Sequence, residues 1–512
     1  MVDFPRVKIV DVNGYKVPVA ETQHFTGVGD KTERTSNKTP FPVKDEVARA
    51  DLKAIKKQTE INKSVLEDLL FNQKEMVNVL SDSAKVFGAY WDKSSVPTLT
   101  RTDSAEGMKA NVGIDGELVK NDFDDAPIYR KIGEVRDEFG NTFVRIPKFY
   151  IRKKDGKDFK LWQISETKYP GFYLPALFWD FTNEKELPYY DHGKYEASLS
   201  DENKLESKPG KHPLAEKSIV EFRNYAEANG VGYQQNDVHA IDVVQTLFYI
   251  EFATLDSQAI AKGYTSGNYN SNHKITVAEE STNRAIVSNS TAEGYEVDQT
   301  IGIGTNTYSN NVSNTSRLIT KVEEYDADNK AIYFDGEPVD TSIDDVIANR
   351  ASITGFSKDI LAQSGTVNID DGKNPFVYRG IENPWGSIYE WVDGININSY
   401  QVWVAENAED YASNVFAEPY RQLGYINHDA NGYVKQMGFD AEYPFAEFPV
   451  EVGGGTTTYY ADYYYRSTGQ RVARFGGAWG GGSRAGVSCW ALDASSGTRG
   501  ASSGGRLLRK AL

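Results

Sequence analysis

The sequence predicts an α+β protein built from an extended N-terminal arm, a short trimeric coiled coil and a larger domain carrying an inserted β module. Three observations predict it. Residues 44–87 contain no Gly or Pro and repeat apolar side chains at heptad spacing. After a Ser/Thr/Gly linker at 94–116 the chain turns to dense aromatics and short alternating stretches. Between about 265 and 367 it becomes rich in Ser, Thr and Asn and poor in helix formers.

The elements follow in order. Residues 1–42 are polar, with brief alternation (Val7 and Ile9, then Val17 and Val19), and read as an arm with little core of its own. Over 43–90, Leu52, Ile55, Thr59, Asn62, Leu66, Leu69, Gln73, Met76 and Leu80 fall on alternating three- and four-residue steps, an a/d seam. Leu52, Ile55, Leu66, Leu69, Met76 and Leu80 would drive self-association, and the three polar seam positions would fix register and strand number. Residues 91–122 form a linker, and 123–264 the first part of the main domain. Residues 265–367 form the inserted β module, and 368–512 complete the main domain. Within the module, "TSRLITKVEEYDADNKAIYFDGEPV" (315–339) reads as strand, turn, strand around Asp326–Lys330.

Composition narrows the function. With 39% apolar and 25% charged residues, a packed core is expected. A net charge of −17 argues against nucleic acid, which needs concentrated Lys and Arg, and against an anionic membrane surface. The single cysteine, Cys489, cannot form an intrachain disulfide or a CxxC site. The start, MVDFPRVKIV, lacks the apolar core of a signal peptide, and no apolar run approaches the length of a membrane span. The expectation is a protein made in a cytoplasm, without membrane insertion.

Motifs for catalysis are missing. The histidines at 24, 192, 212, 239, 273 and 428 show no metal-ligand spacing, and HExxH, P-loop, GxSxG and GxGxxG patterns are absent. "NDFDDAP" and "NIDDGKNP" read as turns and caps. "DADNKAIYFDGE" lacks the full calcium-loop spacing and reads as a hairpin turn. Cys489 reads as a small buried hydrophobe. No catalytic residue, metal or cofactor is expected.

Three blocks carry a resemblance. "PFVYRGIENPWGSIYEWVDGINI" (375–397) resembles the Trp-Gly … Glu-Trp signature of formylglycine-generating-enzyme-like domains. "SIVEFRNYAEANGVGYQQNDVHAIDVVQTLFYIEFATLDSQAIAKG" (218–263) resembles the two helical segments that precede it. "RFGGAWGGGSRAG … GGRLL" (474–508) resembles the terminal Gly-Gly-Ser-Trp segment, with Ala478 in place of the Ser. Upstream, "FVRIPKFYIRKKDGKDFKLWQISETKYPGFYLPALF" (143–178) resembles structural proteins of tailed bacteriophages. The resemblance implies a C-type-lectin-like main domain over about 123–512. It implies no enzymatic activity, because the paired cysteines or histidine metal site of the enzymes cannot be assembled from one Cys and scattered His.

It also implies a function. The expected protein is a non-enzymatic phage virion component, a tail fibre or receptor-binding appendage, with a head or neck decoration fibre as the first alternative and a formylglycine-generating-type enzyme as the second. Its expected partners are other copies of itself in a homotrimer, other virion proteins through residues 1–42, and a host cell-surface saccharide or protein. Trp385, Gly386, Glu390, Trp391, Gly476, Gly477 and Trp479 would anchor the fold. Ser483, Ser488, Trp490, Asp493, Ser495, Ser496, Thr498 and Ser502, between the anchors, would face outward and carry recognition; the alternative is that Trp490 and the upstream Tyr fill the core under the loops. Tyr463 joins the recognition residues from the run "TTTYYADYYYRS" (456–467), where strand alternation exposes only every second Tyr.

Overall fold

A computed structural model describes residues 7–12, 15–20, 58–59 and 85–512, apart from 358, 360–362 and 367. Contacts divide the chain into two compact units, Met1–Lys63 and Ser64–Leu512. In the first, Val7–Val12 pairs antiparallel with Tyr15–Ala20. The seam residues Leu52, Ile55, Leu66, Leu69, Met76 and Leu80 lie outside the described residues.

The fold class corrects the α+β expectation. Strand makes up 36% of the structure and helix 12%, so the architecture of the described residues is mainly β, with curled sheets, in place of α+β. Among the described residues only two α-helices exceed four residues: α1, Ile219–Glu227, and α2, Val238–Phe252. The reason is compositional. The second unit is rich in aromatic and β-branched side chains, which fit a pleated, half-buried surface better than a helix.

Helix α1 starts with a capping box, in which Ser218 and Glu221 satisfy each other's backbone N–H groups. In α2, Asp237 caps the N-terminus by accepting from the Ala240 N–H, and all fifteen residues are buried. A helix buried on every side has to be enclosed by other elements. One side of α2 meets Val86–Trp91 and Lys160–Ser165 of a four-stranded sheet. Another meets Tyr389–Asn398, a strand of a nine-stranded sheet. Trp162, Phe248, Tyr249, Trp385 and Trp490 belong to the single large core between them.

A five-stranded sheet takes in the C-terminal strand Leu507–Lys510, flanked by Tyr189–Gly193 and Tyr233–Gln235. Just before it, Arg506 is fully buried and pairs with Glu390. Its other N–H groups donate to the carbonyls of Gly193, Lys194, Glu382 and Asn383. Asn236 also donates to Glu390, at 2.6 Å. A buried ion pair contributes only when its remaining hydrogen-bonding capacity is satisfied, and this one is.

Strands between 275 and 349 form a separate six-stranded sheet with its own buried cluster, including Ile275, Val287, Ile303, Ile319, Phe334 and Ile347. Arg317–Glu324 and Asn329–Phe334 pair antiparallel there. The Asp326 carboxylate accepts the N–H groups of Asp328 and Asn329, which makes it a turn residue.

Candidate functional site

The order of strands in the nine-stranded sheet decides which residues of the C-terminal ribbon reach the surface. Trp490–Ala494 lies between Gln470–Phe475 and Tyr463–Arg466. Period-two alternation sends Trp490 and Leu492 into the core and turns Ala491 and Asp493 the other way. Arg474 and Tyr465 both stand opposite Ala491 in register. With Tyr389 from the long strand, they floor a cleft of about 310 Å³.

Its walls come from two distant segments. The ribbon supplies Ala478, Trp479, Gly480, Gly481, Arg484 and Ser502. The inserted segment supplies Tyr269 and Tyr308, 36% and 56% exposed, with ring centroids 4.9 Å apart in an edge-to-face pair. The ribbon is held by backbone bonds to the Trp-Gly loop: Gly386 N–H donates to Gly476 O at 3.0 Å, and Trp479 N–H to Ser387 O at 2.9 Å. Two glycines are required sterically. At Gly477 (φ +89°) a Cβ would lie 2.3 Å from that of Ala485, and at Gly386 (φ +79°) it would lie 2.7 Å from Tyr264 O.

Charge in the cleft is arranged with care. Arg474 pairs with Asp493 at 2.9 Å, donates to Ser503 Oγ at 2.9 Å and lies 5.0 Å over the Tyr389 ring. Arg484 is exposed, its Nε donating to Gly481 O at 3.2 Å. Burial pushes the Tyr465 phenol up to about 12 and Tyr389 well above its ordinary value. Both therefore keep their protons at neutral pH and can donate hydrogen bonds.

No family model matches the chain, and no curated protein matches it. The resemblance described above rests on its quoted residues alone.

The expected recognition residues divide. Asp493 and Ser502 line the cleft. Tyr463 is half-buried on the same outward register as Tyr465, their rings 4.7 Å apart, while Tyr464 is buried. Ser483 is exposed, its Oγ 2.8 Å from the Tyr433 hydroxyl. Ser495, Ser496 and Thr498 sit on a neighbouring loop, where Ser495 and Thr498 bond each other and Ser496 bonds Asn414.

Two expectations are corrected. Trp490 is 1% exposed, packed against Phe448 and Phe475, because its strand is central in the sheet. Ser488 is fully buried, with its Oγ 2.6 Å from the Tyr249 hydroxyl. Neither can touch a ligand at the surface.

The anchors Trp385, Trp391 and Trp479 are each buried, and Glu390 meets Arg506 as described. Cys489 is enclosed as well; burial, with Asp462 nearby, pushes its thiol well up, so it carries no thiolate at neutral pH.

Tyr269, Tyr308, Tyr389, Arg474 and Arg484 were missed from sequence. A usable signal existed for the first two: each is a lone Tyr among small polar residues, in "GNYNSNH" and "NTYSNN", a composition common in recognition loops. A second, larger cleft of about 510 Å³ surrounds Val231–Gln235 and Lys510. Its basic groups are already engaged, Arg223 with Asp393 and Lys510 with the Ala176 and Trp179 carbonyls. Among the described residues, no three His, Cys, Asp or Glu side chains gather as a metal site.

Proposed function

We propose that the chain is a non-enzymatic binding protein of a tailed-bacteriophage particle that holds a host cell-surface saccharide in the tyrosine-lined cleft. One observation carries the binding reading: Tyr269, Tyr308, Tyr389 and Tyr465 converge on one concave site together with Arg484, Asp493 and Ser502. Aromatic faces pack against the C–H faces of sugar rings, while neutral phenols, a hydroxyl, a carboxylate and a guanidinium can meet sugar hydroxyls. The volume lies at the small end of ligand sites, suited to one or two sugar rings. The virion setting is supported by the sequence resemblance. Burial of Cys489 with a protonated thiol supports a binding role over nucleophilic chemistry.

The test is binding to a panel of purified cell-wall saccharides by the full chain and by a Tyr269→Ala/Tyr308→Ala variant. Both rings are substantially exposed, so the fold should tolerate their loss. At least a tenfold loss of affinity, about 1.4 kcal/mol, is expected with an unchanged melting temperature. Equal affinity in the variant would remove the cleft from the binding site.

A further inference from the structure

Away from the cleft, four ionisable side chains meet in the interior. Lys153 belongs to the strand Tyr150–Asp155, Lys160 to its antiparallel neighbour, Asp242 to α2, and Glu447 directly precedes the strand Phe448–Val452. Their side chains are at most 3% exposed. Lys153 Nζ contacts Asp242 Oδ1 and lies 3.3 Å from Glu447 Oε1. Lys160 Nζ contacts Glu447 Oε2 and donates to Met437 O at 2.9 Å. Trp162 Nε1 donates to Glu447 at 2.6 Å, and the Tyr173 hydroxyl donates to Asp242 Oδ2 at 2.7 Å. The Phe439 ring covers both ammonium groups, at 6.0 and 5.4 Å.

We propose that this cluster is a self-processing site that joins Lys153 to Asp242 through an intramolecular isopeptide bond, with Glu447 as proton carrier. An amine and a carboxyl are in contact, a second carboxylate sits within reach of the amine, and aromatic rings seal the group from water. Those are the requirements for condensation.

The step balances without a co-reactant. Glu447 takes a proton from the Lys153 ammonium and delivers it to an Asp242 oxygen. The freed Nζ attacks Asp242 Cγ, forming the N–C bond. Glu447 then carries a second proton from Nζ to the protonated oxygen, the C–O bond breaks, and that oxygen leaves as water. An ammonium and a carboxylate become a secondary amide plus one water, with no change of oxidation state, and Glu447 returns to its starting form. The Tyr173 O–H, kept protonated by its burial, points at the carboxyl oxygen where negative charge builds.

Burial pushes the Asp242 carboxyl up, despite Lys153 beside it, towards the neutral form that accepts a nucleophile. Burial acts on Glu447 in the same direction, but Lys160 and Lys153 outweigh it and hold Glu447 at about 2, so it rests as a carboxylate and holds a proton only in passing between Lys153 and Asp242. Lys153 is disfavoured as an ammonium by burial but kept one by Asp242 and Glu447, so its deprotonation is the costly part of the step.

In water the ions and the solvent both oppose amide formation. Here the reaction removes two charges whose burial is costly and releases a water from a dry site. Fixed contact supplies an effective concentration on the order of 10⁵–10⁸ M. Lys160 and Glu447 remain as a balanced pair. The bond would tie a strand of the four-stranded sheet to α2, a covalent brace in a chain whose single cysteine cannot supply one.

The test is the intact mass of the purified full chain under denaturing conditions, followed by proteolysis. A chain one water lighter than its sequence, yielding a branched peptide that joins Lys153 and Asp242, is expected. A chain at its full sequence mass overturns the proposal, and neither reading depends on any variant folding. A link found instead between Lys160 and Glu447 would overturn the assignment of partners. Glu447→Gln should restore the full mass, and loss of water in that variant would overturn the role given to Glu447.

Discussion

At the scale of single residues, burial and alternation decide which side chains are free to act. Trp490 stands among small hydroxyl residues, a composition that suits a recognition surface, yet it closes the core against Phe448 and Phe475. Trp490→Ala is therefore expected to cost about 3–5 kcal/mol of stability, as large aromatic truncations in a core do, and to leave no direct imprint on ligand contacts. Chemical denaturation would read it; a change below about 1 kcal/mol would place the ring outside the packed core. Local sequence shows that successive Tyr of a strand within "YYADYYYRS" would face opposite sides. It cannot say which face meets solvent, because that depends on where the neighbouring strands lie.

At the scale of elements, local signals and tertiary pairing carry different information. The cap of α1 is readable directly: Ser218 followed by Glu221 is a capping box, and the structure contains it. Burial raises the Glu221 carboxyl, but hydrogen bonds from Ser218 and Arg499 outweigh it and hold it at about 2, below its ordinary 4.5. A depressed carboxylate stabilises the fold above its unfolded value and loses that contribution as pH falls towards the folded value. Glu221→Gln should then cost about 1 kcal/mol at neutral pH. The gap to wild type should close as pH drops from 4.5 towards 2, and stability curves across that range would show it. A gap independent of pH would mean that the charge contributes nothing.

The same contrast explains the fold class. The helical pattern of residues 52–80 is plain in sequence but, apart from 58–59, lies outside the described residues, whereas the second unit is built mainly of strands too short and interrupted to announce their partners. The nine-stranded sheet joins segments from Tyr389 to Gly504 in an order that differs from chain order, with two parallel pairs, Tyr463–Arg466 beside Trp490–Ala494 and Ser503–Gly504 beside the start of Tyr389–Asn398. Hydrophobic period identifies such strands, and only long-range packing orders them.

At the scale of the whole second unit, the candidate site belongs to no single stretch of chain. Tyr269 and Tyr308 come from the inserted segment, Tyr389 follows the Trp-Gly loop, and Tyr465, Arg474, Trp479 and Asp493 come from the C-terminal ribbon. Sequence reading located the ribbon, its glycines and its tryptophan anchors, because those depend on local backbone needs. It missed the opposing wall, whose position depends on how the inserted sheet sits against the main core. The Arg506–Glu390 pair returns the chain end to that core and so fixes the ribbon between two buried points.

The most direct measurement is residue-level solvent footprinting of the full chain with and without a saturating cell-wall saccharide. Protection is expected at Tyr269, Tyr308 and Tyr465, with no change around Val231 and Lys510. Binding that leaves those three tyrosines as accessible as before, or protects the second cleft in their place, would contradict recognition through the ribbon and the inserted segment.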